Sequence, residues 1–153
     1  MRLVAYAALS LSLVALAGCD GNGNGDGNGD AAWAGPPEPA ADGSVSVAEF
    51  GEYRDGVAER WEASAELIAA EFLRLDERTA VRTTIAGEGV GEGDGPRTVT
   101  VTFDGLLDDS VRAERWTLVL EPDDESYRLE SAVRTLRCHP GRGHQDFAPE
   151  PCL

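Results

Sequence analysis

The feature that most constrains this fold is a change in hydrophobic period near residue 76. From Val47 onward, apolar residues recur at Phe50, Tyr53, Val57, Trp61, Ala65, Ile68, Phe72 and Leu75. Every step is three or four residues, the spacing that puts side chains on one face of an α-helix. Glu52, Asp55, Glu59, Glu62, Glu66 and Glu71 fall on the other face. Ser46-Val47-Ala48-Glu49 fits a capping box, with Ser accepting from the third amide and Glu reaching back. Gly51 and Gly56 weaken the first turns and are the candidate positions for a break there. The spacing predicts one long amphipathic helix whose aromatic stripe is core rather than ligand groove.

Beyond residue 76 the period is two. Val81, Thr83 and Ile85 alternate with polar residues, and a glycine-rich loop runs from Gly87 to Pro96. Val99, Val101 and Phe103 alternate with threonines, Trp116, Leu118 and Leu120 repeat the pattern, and Tyr127, Leu129 and Val133 supply a fourth segment. Pro122-Asp123-Asp124 is a turn signal. Such alternation gives each strand one buried and one wet face, as in an antiparallel meander. The expectation is an α+β domain in which a curved four-stranded antiparallel sheet wraps the helix. That layout resembles cystatin-like and NTF2-like folds, and a resemblance of layout implies no activity.

The N-terminus is of a different kind. Met1-Arg2 precedes an apolar run from Leu3 to Ala17, about 15 residues, short of the roughly 18 to 20 that span a membrane as a helix. It ends Leu16-Ala17-Gly18-Cys19, which resembles the lipobox of bacterial lipoproteins. The resemblance implies a signal peptide over 1–18, removed before Cys19, and a diacylglycerol, with acyl chains such as palmitate, on the Cys19 thiol. Two or more acyl chains hold a protein firmly on a membrane. The implied location is the extracytoplasmic side of the cell membrane. Asp20 resembles the residue found there in enteric lipoproteins retained at the inner membrane.

Residues 19–44 read as linker. Gly21 to Asp30 is low-complexity and polar, too poor in apolar surface to offset the entropy of ordering. Its Asp and Asn spacing lacks the later Glu of a calcium loop. A flexible tether of about 25 residues has a root-mean-square reach of roughly 28 Å. The domain then occupies 45–153, its C-terminal loop 138–152 included.

Acidic residues outnumber basic ones 28 to 13, and all the basic residues are arginine. Removing 1–18 takes Arg2 away and moves the net charge from −15 to −16. So acidic a chain repels nucleic acid. With Cys19 assigned to lipid, Cys138 and Cys152 remain, and an even pair in an exported chain reads as one disulfide. It closes a loop of 15 residues counted inclusively, worth about 3 kcal/mol of chain entropy.

That loop holds both histidines, His139 and His144, and Arg142 between two glycines. The run Cys138-His139-Pro140-Gly141-Arg142-Gly143-His144, then Asp146-Phe147, then Cys152, resembles the tails of exported bacterial proteins to which no activity is attached. Arg142, His144 and Asp146 are the candidate binding residues, because a guanidinium fork matches a carboxylate or phosphate. The bland alternative is a tied-down tail whose polar groups satisfy one another, with Phe147 on the sheet edge. A metal set of His139, His144 and Asp146 fits no strong spacing. No Gly-x-Ser-x-Gly elbow is present, and the absence of lysine removes the phosphate-loop motif. These readings point to a non-catalytic module without a cofactor that binds a protein or cell-envelope component. A small-molecule binder with a pocket between helix and sheet, and an enzyme, are the rivals.

Overall fold

The computed structural model describes residues 32–57, 64–89 and 95–153. The expected signal peptide over 1–18, Cys19, the Gly/Asn/Asp run and Trp61 lie outside the described residues. The elements are β1 (Ser44–Val45), α1 (Ala48–Asp55), α2 (Ala65–Phe72), β2 (Arg82–Gly89), β3 (Arg97–Asp104), β4 (Val111–Asp123) and β5 (Ser126–Cys138). The sheet is antiparallel throughout, in the order β1-β5-β4-β3-β2. The α+β class and the meander of the last four strands agree with the periodicity.

Two expectations are corrected. The helical stripe does not lie on one long helix. α1 ends at Asp55, where the Gly56 N–H donates to the Tyr53 carbonyl (3.0 Å) and the Val57 N–H to that of Arg54 (3.1 Å). α2 starts afresh at Ser64, which is extended (φ −135°, ψ 128°) and whose hydroxyl accepts from the Leu67 amide. Ser64, not Ser46, is therefore the capping serine, and Val47 stands at the α1 N-cap without a side-chain cap. The stripe nonetheless faces the core: Phe50, Ile68 and Phe72 are buried, and Val47, Tyr53 and Leu75 pack on them. Periodicity reports which face is apolar, and a break that preserves the face leaves the period intact.

The sheet has five strands, not four. The fifth comes from the segment read as linker: Ser44 and Val45 pair with Val133 and Ala132 of β5. Ahead of it, Trp33 is 6% exposed within the core. Its ring packs on Phe50, Tyr53 and Phe72 at centroid distances of 5.1, 6.0 and 5.9 Å. The indole N–H donates to the Phe72 carbonyl at 2.8 Å, satisfying an acceptor at the end of α2 that has no partner within the helix. Residues 32–45 thus belong to the folded domain.

The core lies between the helices and one sheet face, built from Val99, Val101, Phe103, Trp116, Leu118 and Leu120 with Leu129 and Ala132. A register shift between Val119 and Leu120 leaves Glu130 unpaired, with Leu129 opposite Leu120 and Ser131 opposite Val119. This bulge reverses the alternation, so Ala132 is buried and Val133, expected inside, is exposed. A second shift near Arg112 does the same at the start of β4. Among the described residues no helix is long and apolar enough to cross a membrane.

Candidate functional site: the disulfide-closed C-terminal loop

β5 ends at Cys138, fully buried and bonded to Cys152 with Cα atoms 5.5 Å apart. The chain between them is held at several points. The Cys138 amide donates to the His144 carbonyl (3.0 Å), the His139 amide to Ser110 (2.8 Å), and the Leu153 amide to Arg142 (2.7 Å). Ala148 exchanges both backbone hydrogen bonds with Leu136, at 2.8 and 2.9 Å, on the β5 edge. Gly143 has φ +136°, and a Cβ there would lie 2.9 Å from the Cys138 sulfur. Only glycine both adopts that angle and lets the chain pass so close to the disulfide.

His144 sits at the centre of this wrapping. Its Nδ1 lies 2.8 Å from the Asp146 carbonyl and its Nε2 2.8 Å from the Glu150 carbonyl. Neutral imidazole has one N–H and imidazolium has two, so this cage suits the charged form. The Glu150 carbonyl, then that of Asp146, raises the His144 pKa above its ordinary value, with the charges of both residues assisting and slight burial opposing. Both ring nitrogens are occupied within the loop. Phe147 is seated under two cations: the Arg115 guanidinium lies 3.8 Å and that of Arg137 5.0 Å from its ring centroid.

Of the candidate binding residues, the structure thus commits His144 to the loop itself. Arg142 and Asp146 are exposed, and no ion pair joins either to a described residue. Beside the loop, Glu38, Ala41, Arg134, Leu136, Pro149 and Pro151 line an open depression of about 450 Å³. His139, His144 and Asp146 are not gathered as a metal set. The clustered donors are Cys138, His144 and Cys152, within 4.8 Å of one another. Because the two sulfurs are bonded to each other, neither is available as a thiolate ligand.

Two arginine networks went unforeseen, because each depends on strand register. On the outer face, Asp104 meets Arg82 at 2.8 Å, Arg137 at 3.0 Å and Arg112 at 3.9 Å. The hydrogen bond from Arg82 holds the Asp104 carboxyl below the usual range, partial burial opposes it, and the charges of Arg137 and Arg112 add to the lowering. On the helix side, Glu114 binds Arg78 at 2.5 Å and accepts from the Trp116 indole. Arg78 also lies over the Phe103 and Trp116 rings. No protein-family model matches the chain, and no curated protein or solved structure matches it.

Proposed function

We propose that the chain is a lipid-anchored extracytoplasmic module that acts by binding and not by catalysis. The observation that carries this reading is the fate of the cysteines. Cys138 and Cys152 are joined, which leaves Cys19, in its Leu16-Ala17-Gly18-Cys19 setting, as the remaining thiol of the three. A disulfide closing the last strand suits an oxidising compartment, where lipid on Cys19 would hold the domain at the membrane surface.

A protein or cell-envelope partner is favoured over a small molecule bound between helix and sheet. Trp33, Phe50, Phe72 and Trp116 fill the space described there. Arg142 and the depression beside Pro149, on a loop braced by the disulfide and His144, offer a rigid contact surface. The test is metabolic labelling with an alkynyl fatty acid. Cys19→Ser should abolish labelling and either release the protein from membranes or leave unprocessed precursor. A Cys19→Ser protein that is processed and stays membrane-bound like the parent would refute the anchor.

A further inference from the structure

β2 is the last strand of the sheet, and β3 is its one neighbour among the described residues. Every residue from Arg82 to Glu88 is exposed. Open edges invite pairing with another chain, and proteins usually blunt them with lysine, proline, a bulge or short length. β2 has eight residues, neither lysine nor proline, and an unbroken register with β3. Ile85, paired with Val101 on the helix side, is 44% exposed.

The direction of the free backbone groups follows from one bond. The Val81 amide donates to the Gly105 carbonyl across the β2–β3 ladder, at 3.3 Å. Backbone groups alternate in direction along an antiparallel strand. Those of Thr83, Ile85 and Gly87 therefore face β3, and those of Arg82, Thr84, Ala86 and Glu88 face outward.

We propose that β2 pairs antiparallel with β2 of a second copy of this chain about a two-fold axis at Ile85, making one continuous sheet. In this register Arg82 lies opposite Glu88 of the other copy, Thr84 lies opposite Ala86, and Ile85 lies opposite itself. All four outward-facing residues then meet outward-facing residues, so the whole edge is hydrogen-bonded, and symmetry makes the Arg82–Glu88 pair twice. A slip of one residue sets outward groups against inward ones and breaks the ladder. A slip of two restores the ladder but leaves neither Arg82 nor Glu88 directly opposite the other charge. On the helix side, Thr83 lies opposite Gly87, where a Cβ would come within 2.4 Å of the Glu66 carboxylate. The Thr83 hydroxyl of the second copy is placed to donate to that carboxylate. The contact is isologous and closes at two subunits.

The register makes the test specific. Ile85 and its copy form a non-hydrogen-bonded pair, in which the Cα atoms lie about 4.5 Å apart, within the span that a disulfide bridges. In the full chain under mild oxidation, Ile85→Cys should run as a covalent dimer on a non-reducing gel. Thr83→Cys, whose own copy lies well beyond that reach, and Val133→Cys, on the opposite sheet face, should run as monomers. Adding Thr84→Pro to Ile85→Cys removes an outward amide and leaves the β2–β3 ladder intact. It should cut the dimer at least tenfold without shifting the melting temperature. If Ile85→Cys stays monomeric, or crosslinks no better than Thr83→Cys, the pairing is refuted. That comparison decides the matter even if the proline variant fails to fold. All variants carry Cys19→Ser, so that the introduced cysteine is the one free thiol beside the Cys138–Cys152 disulfide and the outcome does not depend on lipid at Cys19.

Discussion

Replacing Trp33 with alanine tests whether the segment before β1 is part of the fold. A buried indole removes roughly 200 Å² from water, worth about 5 kcal/mol at about 25 cal/mol per Å², as an upper bound. Truncating a core tryptophan costs about 3 to 5 kcal/mol where the site cannot collapse. Trp33 sits on a chain segment that can detach, and detachment returns roughly 1 kcal/mol or more of backbone entropy per freed residue. The loss is therefore bounded by the docking free energy of the segment, and about 2 to 3 kcal/mol is expected. At about 3 to 5 °C per kcal/mol for a domain of this size, Trp33→Ala should melt roughly 10 °C lower. Trp33→Phe keeps much of the packing against Phe50 and Phe72 but loses the bond to the Phe72 carbonyl. It should cost about 1 kcal/mol. The assay is thermal and urea unfolding of the full chain, with amide exchange as a local readout. The Arg134 amide donates to the Gly43 carbonyl at 2.8 Å, so it should exchange faster when Trp33 is gone. A Trp33→Ala protein that melts within about 2 °C of the parent, with the Arg134 amide still protected, would refute the docking.

Reduction of Cys138–Cys152, or a Cys138→Ala/Cys152→Ala double variant, should lower stability by up to about 3 kcal/mol. Calorimetry with and without reductant reads this, and an unchanged midpoint would mean the tail contributes nothing to the fold. His144 gives a pH signature. Its folded pKa is raised, so its contribution is fully present below its ordinary value of 6.5 and is lost as pH rises through the folded value. The parent should therefore out-melt His144→Ala by most at acidic pH, and the gap should narrow above about pH 6.5. A gap that widens with rising pH would contradict the two-carbonyl cage.

The fold class and the composition of the core were legible in the sequence because both follow from side-chain period. Phe50, Ile68, Phe72, Val99, Val101, Phe103, Trp116 and Leu118 were all placed inside from spacing alone, and the structure buries each of them. The disulfide followed from setting Cys19 aside on its resemblance to a lipobox, which leaves Cys138 and Cys152 as a pair. The break between α1 and α2 was legible in part: Gly56, a weak point by helix propensity, closes α1, whereas the period gave no sign of it because the apolar face stays aligned across the break. Nor was the bulge at Glu130, because one unpaired residue leaves no mark on composition yet moves burial from Val133 to Ala132.

Trp33 reads as linker in the sequence because the residues before it are polar and glycine-rich. Burial is a property of the surroundings, and the pocket that receives the indole is made by Phe50, Tyr53 and Phe72, 17 to 39 positions away. The loop shows the same division. Sequence singled out Arg142, His144 and Asp146 by residue type. Only the closed loop brought the Asp146 and Glu150 carbonyls to the two nitrogens of His144, and so separated a bracing histidine from an exposed arginine. Sequence by itself determined period and charge, which are local or countable, and pointed to the cysteine pair once Cys19 was set aside. Register, strand order and the partners of each polar group were decided by tertiary structure, because they depend on which distant segments meet.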